Sequence, residues 1–298
     1  MRTLSRILGV LIVVIFLSGG KAFPQRVDTK LPWALLPKVQ SLDVQRKSEL
    51  LEVLKKTPNY GACKETILDC LLQEKPDAEA VRLANFAAYL ISRGVPPNRL
   101  GEFFSRRAVF FENTQVHSFI CDTAPVYGEN KAAIRLTEFA EFKCPFCGTV
   151  SPVLKKLVDE SNGVVRLCFK HFPLLGHEGT IFASTAAVAA QRQGKFWEMA
   201  ALLFQHMDKN QADQVLELAS NLDLDMEKFK TDLADPEIAQ MVRADKVEGV
   251  RKKVNSTPTL FINGKHYRLR MDEPHLKDII NEEAERMGLA PPYKDWIY

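Results

Sequence analysis

One stretch limits what this chain can become. From Ile134 to Phe139 apolar and polar residues alternate as in a half-buried strand, and the strand runs almost directly into Cys144-Pro-Phe-Cys147. Beyond the cysteines, Val150, Val153, Leu154, Leu157 and Val158 recur at i, i+3, i+4, i+7 and i+8, which predicts a helix. Cys144 then stands at a helix start, where unpaired N–H groups and the macrodipole favour an anion. A thiol so placed shifts toward thiolate, the reactive form. Cys147, three residues on, is close enough to close a disulfide with it. A structural staple explains little, because a bridge this short constrains almost no chain. Zinc would need about four ligands, and no second C-x-x-C or paired-histidine motif accompanies this one, so no metal is assigned. The pair reads as a redox centre in which Cys144 attacks a disulfide sulfur and Cys147 resolves the mixed disulfide. That chemistry requires no cofactor.

The start of the chain gives an address. Arg2 and Arg6 precede an apolar run from Ile7 to Leu17, and Gly20-Lys-Ala22 offers small residues for cleavage, so residues 1–22 are expected to be a signal peptide. The run is shorter than the roughly 18–20 residues that span a bilayer. The chain is thus expected to be exported, to a periplasm or its equivalent. Without residues 1–22, which carry Arg2, Arg6 and Lys21 and no acid, 37 basic residues face 37 acidic ones. That balance gives no reason to expect nucleic acid as a partner. All six cysteines (Cys63, Cys70, Cys121, Cys144, Cys147 and Cys168) lie beyond the signal, where an oxidising compartment permits disulfides.

Residues 23–40 carry Pro24, Pro32 and Pro37 without periodicity and read as an extended lead segment. From 41 to 107 four short helical patterns follow one another, interrupted at Pro58-Asn-Tyr-Gly61, Pro76 and Gly94. Val109 to Ile120 allows a strand pair around Asn113. Asp122 to Gly128 reads as a turn-rich linker, so a helical unit with its linker is assigned to 41–123, a second domain to 124–290 and a tail to 291–298. In the second domain Val164 to Phe169 is a further strand, joined through the C-x-x-C helix in a parallel βαβ unit. Residues 178–253 are helical throughout. Thr259 to Ile262, Asn263-Gly264 and His266 to Leu269 form a hairpin, and a final helix covers 273–287.

Several side chains bear on the redox pair. Glu138 alternates with Ile134 and Leu136, which leaves two readings. It is a buried acid of raised pKa that moves a proton for Cys147, or an exposed carboxylate at a strand edge. Glu141 reads as a solvated charge near the helix start. His171 and His177 flank Phe172-Pro173, which leaves a place near the site open to them, but they read first as surface or satisfied histidines, and Phe196, Trp197 and Phe204 read as core. Cys63 and Cys70 could not pair inside one straight helix, where seven residues rise about 10.5 Å. They can pair if Cys63 precedes the helix, and that disulfide is favoured. Cys121 and Cys168 remain unassigned, with Cys168 readable as an unpaired apolar filler.

The order strand, C-x-x-C helix, strand, helical insert, Thr-Pro hairpin and final helix resembles the thioredoxin superfamily, and within it the DsbA-like exported thiol–disulfide oxidoreductases. The residues that carry the likeness are Glu138-Phe139, Phe142-Lys-Cys-Pro-Phe-Cys147, Phe172-Pro-Leu174, Gly194-Lys-Phe-Trp-Glu198, Thr257-Pro-Thr259 and Phe261-Ile-Asn-Gly264. They cover about residues 124–287. The resemblance implies an α/β thioredoxin-like fold with a helical insert, here preceded by a small all-helical unit. It implies a cis Pro258 facing the cysteines, keeping metal off them and exposing the Thr257 backbone to an extended substrate, as in strand addition. It also implies cysteine-containing exported polypeptides as substrates and a membrane quinone-linked partner for reoxidation. Phe146 stands where the strongest oxidant of the family has histidine. The disulfide-introducing direction is the reading adopted, with a reductase or isomerase, or a copper- or partner-binding module drawing on Met199 or Met207, as alternatives. The oligomeric state is left open.

Overall fold

The structure is a computed structural model that describes residues 30–208 and 211–294. The signal peptide expected over 1–22, the first part of the lead segment and the end of the tail lie outside the described residues. The chain divides into two compact units, Met1–Asn98 and Arg99–Tyr298.

Within the first unit, α1 (Pro37–Gln40), α2 (Val44–Leu54), α3 (Ile67–Leu71) and α4 (Ala78–Ser92) bury one another's apolar faces through Leu50, Leu54, Leu71, Leu83 and Phe86. Asp43, Thr66 and Asp77 cap α2, α3 and α4 by accepting the N–H groups that a helix start leaves unpaired. Cys63 lies ahead of α3 and is bonded to Cys70 within it, with the Cα atoms 5.9 Å apart.

The second unit begins with α5 (Leu100–Glu112), continues through β1 (Val126–Tyr127), β2 (Ile134–Ala140), α6 (Pro145–Glu160) and β3 (Val165–His171), and then enters the helical insert. The insert is α7 (Thr180–Gln191), α8 (Phe196–Gln205), α9 (Ala212–Ser220), α10 (Met226–Ala234) and α11 (Pro236–Arg251), and β4 (Thr259–Ile262), β5 (Lys265–Tyr267) and α12 (Glu273–Arg286) close the unit. The strands form one sheet in the order β1-β3-β2-β4-β5. Only β2 and β3 run parallel among these pairs, as a crossover through α6 requires. The chain is therefore a mixed α/β thioredoxin-like fold with a helical insert, preceded by a helical region.

Four stretches differ from the sequence reading. The lead segment is not extended to its end, since Trp33–Leu35 forms a 3-10 turn and Pro37–Gln40 the helix α1, with Leu36 and Val39 buried. No strand forms at Asn113; α5 instead continues to Glu112. Its last turns bury Phe110 and Phe111, with Phe110 edge-on to Tyr267 of β5 at 5.8 Å. Arg107, also buried, pairs with Asp278 and Glu282 of α12. These contacts group α5 with the sheet, in the compact unit that begins at Arg99. The 122–128 linker contains β1, antiparallel to β3 through Val126↔Cys168 and Tyr127↔Leu167. Two residues have no period to detect; only their partner strand makes them a strand. Cys168 is no unpaired filler, since it is bonded to Cys121.

Candidate active site

The C-x-x-C pair lies where β2 leaves the sheet and α6 begins. Cys144 is the N-cap of α6, in extended backbone, and Pro145 follows at the first helical position, where its missing N–H takes no bond from the ladder. Cys147 is fully buried on the inner face of α6, while Phe146 between them is 73% exposed. Both thiols are free. A Cβ at Gly148 would meet the Met207 methyl at 2.9 Å, a contact that the end of that flexible side chain can relieve.

The two sulfurs differ electrostatically. The Cys144 thiol is drawn down to about 6, first by the hydrogen bond from the Cys147 thiol, against the desolvation that would raise it, and then by Thr257 and the N–H groups of Cys147 and Phe146. Those last two donors are the unpaired groups of the helix start. Cys147 is pushed up strongly, first by burial, then by Cys144 and Glu138. Near neutral pH one thiol therefore favours its thiolate and the other keeps its proton.

The far end of the sequence completes the wall. The Thr257–Pro258 peptide is cis, and the Thr257 carbonyl accepts from the Cys144 thiol at 3.3 Å. β4 follows at once and pairs antiparallel with β2, placing Leu260 opposite Glu138.

Beneath Cys147 lies Glu138. It is fully buried, Ser151 donates to its Oε1 at 2.7 Å, and its Oε2 has no partner among the described residues. Burial lifts its pKa to about 8, the Ser151 hydrogen bond opposes that rise and the Cys144 charge adds to it. Of the two sequence readings of Glu138, the exposed strand edge is excluded. Ser151 drew no attention in the sequence, yet it lies four residues after Cys147, on the same face of the helix.

Glu141 corrects the sequence reading. Rather than a solvated charge it is fully buried. Its Oε2 accepts from Thr180 Oγ1 at 2.5 Å and from the Lys143 N–H at 2.9 Å, and its Oε1 meets His177 Nδ1 at 2.6 Å. Its carbonyl accepts the Cys144 N–H at 3.3 Å. His177 is thus part of the shoulder of the site. His171 is buried too, with neither ring nitrogen bonded among the described residues, and burial first and Lys170 second hold it down to about 3. Phe196 and Phe204 are core, as is Met199. Among the described residues no group of three or more His, Cys, Asp or Glu gathers to hold a metal ion.

Comparison with known proteins fits this geometry. The family model described as Thioredoxin matches residues 121–282. A probable disulfide bond formation protein D of Bacillus anthracis is 30% identical over 210 residues, covering 63% of this chain and 96% of that protein. A sodium/proton antiporter, NhaA 3 of Salinispora tropica, is 36% identical over 147 residues. That match takes in 49% of this chain, but the chain spans only 22% of the antiporter's length. The crystal structure of a thioredoxin-like oxidoreductase from Silicibacter pomeroyi superposes with a TM-score of 0.51 at 26% identity, covering 60% of this chain and 98% of that one. BdbD from Bacillus subtilis, at 23% identity and a TM-score of 0.50, shares the fold over 56% of this chain and 96% of its own.

Proposed function

The chain belongs to the thioredoxin family as a DsbA-like thiol–disulfide oxidoreductase, and from that premise we propose that it introduces disulfides into exported proteins through Cys144 and Cys147. The observation that carries the direction is the asymmetry of the two thiols. A nucleophile near 6 beside a thiol that holds its proton stabilises the reduced form of the pair, and a pair whose reduced form is stabilised is an oxidant. The value lies between the roughly 7 of thioredoxin and the roughly 3.5 of DsbA. The Phe146 side chain carries no donor, and the Cys147 thiol, Thr257 and the backbone N–H groups of Cys147 and Phe146 support the thiolate instead.

In the oxidising half-reaction a substrate thiolate attacks Cys144 Sγ. The Cys144–Cys147 bond breaks, and the electron pair leaves on Cys147, which takes a proton from Glu138. A second substrate thiolate then displaces Cys144 as thiolate. The two substrate sulfurs end joined and the enzyme ends reduced. The Thr257 backbone beside Cys144 offers an extended chain a strand edge to pair with. The loop that brings His177 and Glu178 to Glu141 and Lys143 leaves Leu175 94% exposed, and Ile181 at the start of α7 is 63% exposed, an apolar rim suited to chains that have not yet folded. The address expected from residues 1–22 places this chemistry outside the cytoplasm, where a membrane quinone-linked partner would reoxidise the pair.

The deciding measurement is the reduction potential of the pair together with trapping by Cys147→Ser. A potential well above the roughly −270 mV of thioredoxin, with mixed disulfides on Cys144, is expected. A potential at or below that value would make the chain a reductase. Absence of trapped partners together with tight copper binding would remove the enzymatic reading of the pair.

A further inference from the structure

The sheet unit has a second cysteine pair. Cys121 and Cys168, 47 residues apart, are bonded and tie the segment ahead of β1 to β3. Both line a cavity of about 250 Å³. Across the parallel ladder Arg135 lies opposite Arg166 and Thr137 opposite Cys168. Strand alternation puts these four side chains on one face of the sheet, and all four line the cavity, closed on its other side by Val116 to Phe119 and Gly264. No carboxylate lines it. Arg166 donates to the Asn130 carbonyl at 3.0 Å. The Arg135 side chain, exposed, has no hydrogen bond or ion pair among the described residues. His117, which also lines the cavity, is held toward its neutral form by desolvation and by the charges of Lys252 and Lys253, while Glu248 accepts the Ile120 N–H at 3.0 Å outside the lining.

We propose that this cavity is a second thiol-exchange site, at which a small thiol bearing a carboxylate opens the Cys121–Cys168 disulfide. Cys168 is 2% exposed and Cys121 is the more open of the two, which directs attack to Cys121 Sγ. The incoming thiolate bonds to Cys121, the Cys121–Cys168 bond breaks, and the electron pair leaves on Cys168. Arg166, two residues before it on the same face, and Arg135 stabilise the departing thiolate. A second thiol then displaces Cys121 from the mixed disulfide. Two small thiols leave as one disulfide, and Cys121 and Cys168 are both reduced. The guanidinium pair attracts the carboxylate and focuses anionic reagents on the cavity. The reaction is independent of Cys144 and Cys147.

The test uses the full chain carrying Cys144→Ser and Cys147→Ser, with three small thiols compared at equal thiolate concentration: 3-mercaptopropionate, 2-mercaptoethanol and cysteamine. Opening of Cys121–Cys168 is followed by mass mapping, and the Cys63–Cys70 disulfide of the same chain is the internal reference. The anionic thiol is expected to open the bond about tenfold faster than the neutral one, with cysteamine slowest and the adduct on Cys121. Arg135→Gln and added salt should each shrink that ratio, and Cys63–Cys70 should show none. Equal rates for the three thiols, an adduct on Cys168, or a bond that opens only after denaturation would overturn the proposal. The salt arm needs no variant, so a misfolded arginine substitution would not leave it undecided.

Discussion

Glu138 and Glu141 stand three residues apart at the end of β2, and both are fully buried, yet they sit in opposite surroundings. The floor under Cys147 gives Glu138 one donor, Ser151, and leaves one carboxylate oxygen bare. The shoulder beside Cys144 gives Glu141 a hydroxyl, a backbone N–H and an imidazole. Burial opposes the charge of Glu138, and its single donor offsets that only in part. The floor is therefore a place where a proton can come and go near neutral pH, whereas the shoulder is scaffolding for the loop that presents Cys144. Two acids of one strand end have been given different work by what faces them.

The difference can be broken from either side. The largest effect is expected at the shoulder. Glu141→Ala leaves the Thr180 hydroxyl, the Lys143 N–H and the His177 ring without their acceptor, and a buried donor left unpaired costs about 1–3 kcal/mol. A loss of about 3–5 kcal/mol in denaturant unfolding is expected, and a loss below about 1 kcal/mol would mean that the shoulder is not a scaffold.

The floor should respond in the opposite sense. Glu138 has its folded-state pKa raised from 4.5 to about 8, so the folded state holds the proton more tightly than the unfolded state. Its contribution to stability is fully present below about 4.5 and is lost as pH rises through about 8. Glu138→Leu should therefore be more stable than the parent at pH 9, by about 2–3 kcal/mol, with little difference at pH 4. Both proteins must be compared in the same redox state, so that Cys144, whose lowered pKa works in the other direction, cancels. A variant less stable than the parent at pH 9 would contradict a charge-opposing floor.

Next in size is Thr180→Val, which removes one donor from Glu141 and keeps the shape of the side chain. About 1–2 kcal/mol of stability should go, with the reduction potential unchanged. A shift in potential equal to that of a Glu138 substitution would erase the distinction between shoulder and floor.

How much of this was legible follows from which contacts are local. Strand β2, helix α6 and the Asn263-Gly264 hairpin, whose two turn residues both have positive φ, are written in short-range pattern and turn chemistry, so the frame of the site could be read. Asn263 and Gly264 suit that turn because they tolerate the left-handed region. The partners of that frame could not be read. Glu141 is buried by Thr180 and His177, residues 39 and 36 positions away. Cys121 finds Cys168 through the pairing of a two-residue strand. α5 gains its last turns from Tyr267 and α12. Each depends on a tertiary neighbour that no local period announces.

The smallest expected effect isolates the floor most cleanly. Exchange by this pair should show two inflections with pH. One near 6 follows ionisation of Cys144, and one near 8 follows ionisation of Glu138 as it takes the proton when Cys147 resolves a mixed disulfide. Ser151→Ala removes the one donor that favours ionised Glu138, so the upper inflection should rise by about one pH unit, equivalent to about 1.4 kcal/mol. The lower one should stay, because Ser151 is not among the groups that hold Cys144 down. Stopped-flow reaction with a fluorescent disulfide-linked peptide, run from pH 5 to pH 10, reads both in one series. A shift of the lower inflection would tie Ser151 to the nucleophile instead. If neither inflection moved, Glu138 would be a buried acid without a part in proton transfer, and the contrast between the two carboxylates would reduce to one of stability.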